Sequence, residues 1–215
     1  MPRPRRRSPT VLPLAAALAV WLGLPALLSA AHLQIDPVKS KFLLRVWKEG
    51  PASVFAHDHV ARATDMKGTV EWDPAKPEDA SVEVEVPASS ILMDEPIYRR
   101  RFDLPSIADV NRREIQNTMR GPKQLDVATY PTLSFRSHKV ASAGPGKLRI
   151  NGTLTLHGQS REVSMVAAVE QRGEYFHANA TLRFLQSGFG ITPYSFGQAV
   201  SNKDEVELQI ELIAK

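Results

Sequence analysis

The stretch Lys147–Arg161, KLRINGTLTLHGQSR, decides the fold. Apolar side chains alternate with polar ones from residue 147 to residue 156, and a glycine takes the middle apolar position. This two-residue period is that of a β-strand with one apolar and one polar face. The sequence HGQS that follows predicts a tight turn, after which Val163, Met165, Ala167 and Val169 resume the alternation. The stretch therefore predicts a β-hairpin with one apolar face.

The same alternation recurs along most of the chain. Apolar residues share one face in the further segments 42–46, 66–72, 82–86, 133–138, 176–184 and 206–212. With the hairpin these give about eight strands, a number that closes into a small antiparallel barrel. In Ser106–Arg120 the apolar residues instead follow helical spacing, with Ser106 as a candidate N-cap and Gly121-Pro122 as a stop. The predicted fold is all-β, a barrel with one inserted helix that either plugs or covers one end.

The first 31 residues have the organisation of a secretory signal peptide. A basic segment at residues 2–8 precedes an almost wholly apolar run from Val11 to Leu28, and Ser29-Ala30-Ala31 supplies small residues for cleavage. The alternative is an uncleaved anchor helix, which the prolines within the apolar run and the cleavage site disfavour. We predict a signal peptide at 1–31 and one domain at 32–215, periplasmic or secreted and without stable insertion in a membrane.

Composition excludes several classes of function. Residues 1–31 hold four arginines and no acid, and without them 23 acidic residues balance the basic ones. The alkaline isoelectric point of about 9.4 therefore belongs to the leader and does not indicate nucleic-acid binding. The chain has no cysteine, which excludes thiol catalysis and thiolate metal ligands. No nucleophile elbow, phosphate-binding loop or paired-acid motif is visible, so we expect no catalytic residues and no enzyme activity.

Several segments, taken in chain order, resemble the YceI-like family of secreted lipid-binding proteins. They are LQIDPVKS (33–40), GTVEWD (68–73), YPTLSFRS (130–137), GTLTLHG (152–158) and FGI (189–191). The resemblance covers essentially all of the predicted domain. It implies a lipocalin-like antiparallel barrel around an elongated apolar pocket that holds a polyisoprenoid or similar single-chain lipid, with no other cofactor. It also implies a periplasmic or extracellular address. The segment FAHDHV (55–60) departs from the family's commonest pattern.

The predicted pocket wall is made of apolar side chains on the inward faces of the strands. Small inward residues, such as Gly68, Gly152 and Ala178, leave room for a ligand, whereas large neighbours that fill this room give a solid core. A structural or stress-related module with a filled core is therefore an alternative to a lipid carrier. The predicted ligand-binding residues are Phe42, Leu44, Val70, Trp72, Val84, Phe135, Ile150, Leu154, Leu156, Phe176, Leu182, Phe184 and Phe189.

The sharpest polar feature is His57-Asp58-His59. Residues two apart on a strand point the same way, so His57 and His59 are candidate ligands of a metal-binding periplasmic barrel, although a third ligand is needed. If the phase of strand 66–72 is continued backwards, Asp58 faces inward and both histidines face outward. A bulge near Ala61–Thr64 turns both histidines inward instead. A hydrogen-bonded or surface pair, and a contact with a lipid head group at the rim, are the other interpretations.

The run Tyr98–Arg101 is basic and carries one aromatic residue. It is interpreted either as a contact for a phosphate or an anionic membrane surface, or as a solvated loop flanked by acidic residues. The sequence indicates no partner other than an apolar lipid, and it leaves the oligomeric state open, a dimer included.

Overall fold

The computed structural model describes residues 30–197 and 199–215, so the predicted signal peptide lies outside it apart from Ala30 and Ala31. Most of the described residues form one antiparallel sheet. The strands are β1 (Ala31–Gln34), β2 (Lys41–Glu49), β3 (His59–Ala63), β4 (Lys67–Trp72), β5 (Ser81–Pro87), β6 (Ile91–Met93), β7 (Thr132–Ser142), β8 (Lys147–Leu156), β9 (Gln159–Arg172), β10 (Tyr175–Leu185), β11 (Ser195–Phe196) and β12 (Val200–Ala214). The helices are α1 (Pro96–Arg101) and α2 (Asp109–Arg120), and short 3₁₀ turns cover Ser53–Phe55, Pro77–Asp79, Ala88–Ser90 and Gln186–Phe189.

The sheet curls into a lipocalin-like barrel, as predicted. Its strand order is β1-β4-β5-β7-β8-β9-β10-β12-β2-β3-β6, with β11 paired to β12 at the side. The segment after β1 links two sides of this path: Ile35 N donates to Gly68 O at 2.9 Å, and Asp36 N donates to Ile213 O at 2.8 Å. The eight predicted strands correspond to β2, β4, β5, β7, β8, β9, β10 and β12. The short strands β1, β3, β6 and β11 are additional to the prediction.

The hairpin of β8 and β9 has the predicted geometry. Leu156 pairs with Gln159, so His157 and Gly158 alone form the turn. Their φ angles are 52° and 69°, and a two-residue turn with both residues in the left-handed region matches the twist of antiparallel strands. His157 Nδ1 lies 3.2 Å from Phe189 O, which ties this turn to the 3₁₀ turn at Gln186–Phe189.

Two clusters of buried apolar side chains pack the two ends of the barrel. At the first end, called here the Trp72 end, the Trp72 ring lies 4.7 Å from the Phe176 ring, centroid to centroid. At the second end, called here the Phe189 end, Phe189 contacts Phe184 edge-on at 5.4 Å, and Ile191 packs beside it. The apolar faces predicted from alternation thus converge inside one barrel.

The inserted helix α2 lies across the Phe189 end. Gln116 anchors it to edge strand β6, because its side chain accepts from Met93 N at 2.8 Å and donates to Ile91 O at 2.9 Å. The helix begins later than predicted: Ala108, not Ser106, precedes it, and its N-terminus has no side-chain cap. Among the described residues, no helix is long and apolar enough to cross a lipid bilayer.

Helix α1 replaces the loop interpretation of Tyr98–Arg101, which is wrong. Pro96 starts this helix and arginines occupy its last turn, an arrangement that suits the fixed φ of proline and the negative end of the helix dipole. Arg99 is buried, and Arg101 pairs with Glu211 on β12. Of the three arginines only Arg99 is bound within the fold, whereas Arg100 and Arg101 remain exposed to solvent.

Gly152 supplies the space for a close approach between strands, and this gives a first prediction. A Cβ at this position would lie 2.5 Å from Arg136 O and 2.5 Å from the Phe135 ring. Gly152→Ala is expected to lower the free energy of unfolding by about 1–3 kcal/mol, the usual cost of overpacking, as measured by denaturant titration. The matched control is Gly188→Ala, where an added Cβ meets no described atom within 4 Å. That control is expected to change stability by less than about 0.5 kcal/mol, and equal effects of the two changes would contradict the prediction.

Candidate ligand-binding cavity

An apolar cavity of about 380 Å³ runs through the barrel. Its wall is built from the inward-facing side chains of β2, β3, β4, β5, β6, β7, β8, β9, β10 and β12, so nearly every strand contributes to it. Most of these side chains are aliphatic or aromatic. The barrel is therefore hollow, which does not favour the alternative of a filled core.

The structure places all but two of the predicted ligand-binding residues on this wall. Trp72 and Phe189 are the exceptions, although both are buried. Trp72 lies at the last position of β4, where its ring packs on Phe176 at the Trp72 end. Phe189 belongs to a 3₁₀ turn rather than a strand, and it packs behind Phe184. The cavity-lining residues are Phe42, Leu44, Val70, Val84, Phe135, Ile150, Leu154, Leu156, Phe176, Leu182 and Phe184; that they bind a ligand stays a prediction.

The two inward glycines do not enlarge the cavity, contrary to the prediction. Ile35 Cδ1 lies 2.9 Å from the position of an added Cβ at Gly68, and the Phe135 ring fills the corresponding space at Gly152. The alanines do face the cavity as predicted: Ala178 lines it, together with Ala167 and Ala180. Glycine permits the backbone or a neighbouring side chain to approach, whereas an alanine on a strand keeps its neighbours at normal distance.

Helix α2 contributes wall residues that the sequence analysis did not assign to the site. Ile115 and Met119 face the cavity from above, and Leu125 follows them in the next segment. The helical spacing of these residues was visible in the sequence. Whether they face the cavity depends on where the helix lies on the barrel, and the bonds between Gln116 and β6 fix that position.

Polar side chains line the cavity mainly at the Phe189 end, beneath and beside α2. His59 lies in a row with Val46 and Val206, because these residues are cross-strand partners on β3, β2 and β12, and Val206 also pairs with Phe184. The other polar lining residues at this end are Glu114, Thr118, Gln124, Gln186, Tyr194 and Asn202. Glu114, Thr118 and Tyr194 are exposed as well as lining the cavity, so the cavity opens to solvent at this end, called here the mouth. The cavity is thus apolar along its length and polar at its mouth.

A buried charged cluster holds His59 at this mouth. Asp94 is fully buried; its carboxylate lies 2.6 Å from His59 Nδ1 and accepts from Arg99 Nη1 at 2.5 Å and from Val60 N at 3.1 Å. Arg99 also donates from Nη1 to Asp58 O at 2.9 Å. An ionised carboxylate only accepts hydrogen bonds, so His59 Nδ1 is the donor, and the Nε2 edge of the ring is left for the cavity.

His59 on β3 points into the barrel, as predicted for a chain with a bulge near Ala61–Thr64. His59, Ala61 and Ala63 line the cavity, whereas Met66, Val70 and Trp72 are the buried positions after the bend, so the inward parity changes between residues 63 and 66. Arg62 points away from the cavity and pairs with Glu95 through bonds of 2.7 and 3.1 Å. The backward extrapolation from β4, which faced Asp58 inward and His59 outward, is therefore wrong for these two residues.

Residues 33–214 match the model of the YceI-like domain. The chain belongs to the YceI-like family. A UPF0312 protein of Shewanella sp. (strain W3-18-1) is 28% identical over 94% of this chain and 97% of its own length. A UPF0312 protein of Vibrio cholerae is 27% identical over 70% of this chain and 69% of its own length.

Solved structures show the same fold. The crystal structure of Burkholderia cenocepacia BcnA matches this YceI-like chain with a TM-score of 0.65 and 22% identity, over 84% of this chain and 99% of that one. The crystal structure of the Campylobacter jejuni YCEI protein matches with a TM-score of 0.52 and 18% identity, over 71% and 82% of the two chains. The barrel predicted from alternation is thus confirmed as the YceI-like barrel.

His57, the other histidine of the segment His57-Asp58-His59 in this YceI-like chain, does not line the cavity and is exposed. Partial burial, together with the positive charges of Arg99, His59 and Lys48, lowers the pKa of His57 below its ordinary value of 6.5. The prediction that a bulge turns both histidines inward therefore holds for His59 alone. In residues 30–197 and 199–215, no group of three or more His, Cys, Asp or Glu side chains is arranged to hold a metal ion. The described residues therefore supply no third ligand for the metal-binding alternative.

Proposed function

We propose that the protein binds a long apolar ligand, a polyisoprenoid or similar single-chain lipid, inside the barrel and carries or sequesters it. The observation that carries this proposal is the apolar wall of the cavity, which most strands of the barrel share. Volumes of this order are typical of small-molecule sites. Each methylene moved from water into such a site contributes about 0.8 kcal/mol. The signal peptide predicted from the sequence supports a periplasmic or extracellular location for this carrier.

The shape of the wall favours a chain over a compact molecule. Cavity-lining residues on β10 extend from Phe176 to Phe184, a span of about 26 Å at the usual rise per residue of a strand. A single extended chain follows such a span, whereas a compact ring system leaves much of the wall uncovered. Affinity is therefore expected to rise with chain length until the cavity is filled, and then to level off.

We assign the polar end of the ligand to the mouth beneath α2. His59 is held by the buried Asp94 there, and its Nε2 edge is the part of the ring available to the cavity. A neutral ring accepts a hydrogen bond at Nε2 when Nδ1 is the donor. The arrangement suits a ligand that ends in a hydroxyl group. The head-group contact considered for His59 is then a hydrogen bond from that hydroxyl to His59 Nε2.

Replacing His59 with Phe tests this contact at nearly constant side-chain volume. The affinity for a long-chain prenyl alcohol is expected to fall about fivefold to tenfold, which corresponds to one lost hydrogen bond of about 1 kcal/mol. The affinity for the matched hydrocarbon without the hydroxyl is expected to stay the same, because the apolar wall is unchanged. Competition binding with both ligands measures the difference, and a parallel loss for both ligands would contradict the assignment.

Native mass spectrometry of the protein from a membrane-containing host tests the proposal as a whole. The expected result is an apolar adduct that organic solvent extracts and that is recovered chemically unchanged after incubation, as a carrier requires. The same spectrum tests the predicted cleavage, since loss of residues 1–31 fixes the mass of the protein. Recovery of ligand-free protein alone, together with no binding of added prenyl alcohol, would overturn the proposal.

A further inference from the structure

Two adjoining loops expose large apolar side chains to solvent. The 3₁₀ turn Ser53–Phe55 exposes Val54 and Phe55 by 72% and 85%, and the hairpin of β11 exposes Phe196 by 77%. Tyr194, just before β11, is 46% exposed. Scattered apolar residues on a surface are ordinary, but a group of them in one place marks an interaction site.

Backbone hydrogen bonds hold these loops side by side. Ala52 N donates to Ala199 O at 3.0 Å, which joins the turn after β2 to the loop between β11 and β12. Asn202 N donates to Tyr194 O at 2.8 Å, and Phe196 pairs with Val200. The exposed side chains thus belong to one structural unit, defined here as the rim patch: Val54, Phe55, Tyr194 and Phe196.

The rim patch stands at the mouth of the cavity. Tyr194 is exposed and also lines the cavity, and Asn202, bonded to Tyr194, lines it as well. Across the mouth, Gln124 Nε2 donates to Thr192 O at 3.0 Å. This bond connects the segment after α2 to the loop that leads into Tyr194. Apolar surface therefore continues from the cavity wall through Tyr194 to the outside of the molecule.

We infer that the rim patch docks reversibly on a phospholipid bilayer, so that an apolar ligand passes between bilayer and cavity without crossing water. This inference rests on the proposed function. A long apolar chain that crossed open water would expose every one of its methylenes to water, which is unfavourable. Phenylalanine and tyrosine side chains suit the interfacial region of a bilayer, where an apolar ring meets polar head groups. Continuity of the patch with the cavity wall favours a lipid surface over a second protein.

The charges around the rim patch indicate which lipid surface it fits. Lys48 and Lys203 flank the two loops, and Lys48 Nζ donates to Ala56 O at 2.9 Å. Glu49 and Asp204 lie directly beside these lysines in the sequence and balance them. Docking is therefore driven by apolar contact, and it is expected on neutral phosphatidylcholine vesicles with little gain from added phosphatidylglycerol or from low salt.

Flotation with phosphatidylcholine vesicles tests the inference on protein processed by its host, with the N-terminus established by intact mass. Phe55→Ser and Phe196→Ser are each expected to weaken vesicle binding about tenfold, and the double variant about a hundredfold, since burial of one such side chain is worth at least about 1.4 kcal/mol. Both side chains are exposed, so the variants are expected to unfold at the wild-type temperature. The matched control is Val38→Ser: Val38 is 89% exposed but lies on the turn after β1, away from the rim.

Ligand binding is measured in parallel, with prenyl alcohol delivered from detergent in the absence of vesicles. Retention of this binding by the double variant, with loss of flotation and of fast ligand transfer from vesicles, supports the inference. Wild-type protein that binds prenyl alcohol but does not float overturns the inference and leaves the proposed function standing. Flotation that depends on Phe55 and Phe196 without any ligand binding refutes the proposed function and supports the docking surface. Dimers that dissociate in the double variant, without flotation of wild type, assign the patch to a second copy and overturn the inference.

Discussion

Replacing Asp94 with Asn is expected to lower the free energy of unfolding by about 3 kcal/mol, the low end of the range for breaking a buried ion pair. The Asp94 carboxylate is fully buried, and the Arg99 guanidinium beside it is 2% exposed. Asn has nearly the same shape as Asp and tolerates the left-handed backbone conformation at this position, where φ is 53°. The substitution therefore isolates the loss of charge: Arg99 stays buried without an anionic partner. Denaturant titration at neutral pH measures the effect.

The pH dependence of stability gives a second measurement of the same pair. Burial by itself would raise the pKa of Asp94, but the hydrogen bond and the charge of His59, with the hydrogen bonds from Val60 N and Arg99, outweigh burial and lower the pKa below its ordinary value of 3.8. Because the unfolded state then binds a proton more readily than the folded state, this contribution is present above the ordinary value and is lost as the pH falls through the folded-state value. The stability gap between wild type and Asp94→Asn is therefore expected to narrow below about pH 4.

Two variants control this prediction. Glu85→Gln breaks an exposed pair in which Lys67 and Glu85 are 79% and 50% exposed, and it is expected to leave the free energy of unfolding nearly unchanged. Adding Arg99→Met to Asp94→Asn removes the uncompensated charge, so the double variant is expected to regain at least half of the lost stability. A loss in Asp94→Asn no larger than that in Glu85→Gln would show that the buried pair does not hold the mouth of the barrel together.

The long strands could be predicted because the alternation of apolar and polar residues is visible within each strand by itself. Alternation along β8 and β9 is a local property, and the turn at His157-Gly158 needs two residues that accept positive φ. The short strands β1, β3 and β6 carry too few residues to show a period. They form because the long strands offer them hydrogen-bonding edges, and this depends on tertiary structure.

The apolar wall of the cavity could be predicted from the sequence, whereas the polar residues at its mouth could not. Inward parity identified the apolar lining because a curled sheet has only one concave face, and the apolar positions of every strand lie on it. The cluster that holds His59 comes from distant segments, since its partner Asp94 follows β6 and Arg99, which donates to Asp94, lies on α1. Thr64, directly after β3, is likewise bound to a distant segment, because its backbone N and its hydroxyl both donate to Ser90 O, at 3.1 and 2.7 Å. Contacts of this kind between distant segments leave no periodic signal in the sequence.

Filling the cavity from Ala180 is expected to abolish most ligand binding while leaving the barrel folded. Ala180 lies on β10 opposite Ala167 and Ile210, and it faces the cavity. The Trp side chain in Ala180→Trp occupies space that three or four methylenes of a bound chain would take. At about 0.8 kcal/mol each, their loss weakens binding roughly a hundredfold. Titration of delipidated protein with a long-chain prenyl alcohol measures this loss.

The neighbouring strand provides a matched control for Ala180→Trp. Ala168 lies on β9, pairs with Asn179 and faces solvent, so Ala168→Trp adds the same side chain outside the barrel and is expected to bind ligand like wild type. Ala180→Leu, a smaller filling, is expected to fall between wild type and Ala180→Trp, and it keeps the test valid if Trp overpacks the wall. A graded loss inside the barrel with no loss outside it requires the ligand to lie in the cavity. Equal binding by all three variants would place the ligand elsewhere, because a side chain as large as Trp and a lipid chain cannot share the same volume.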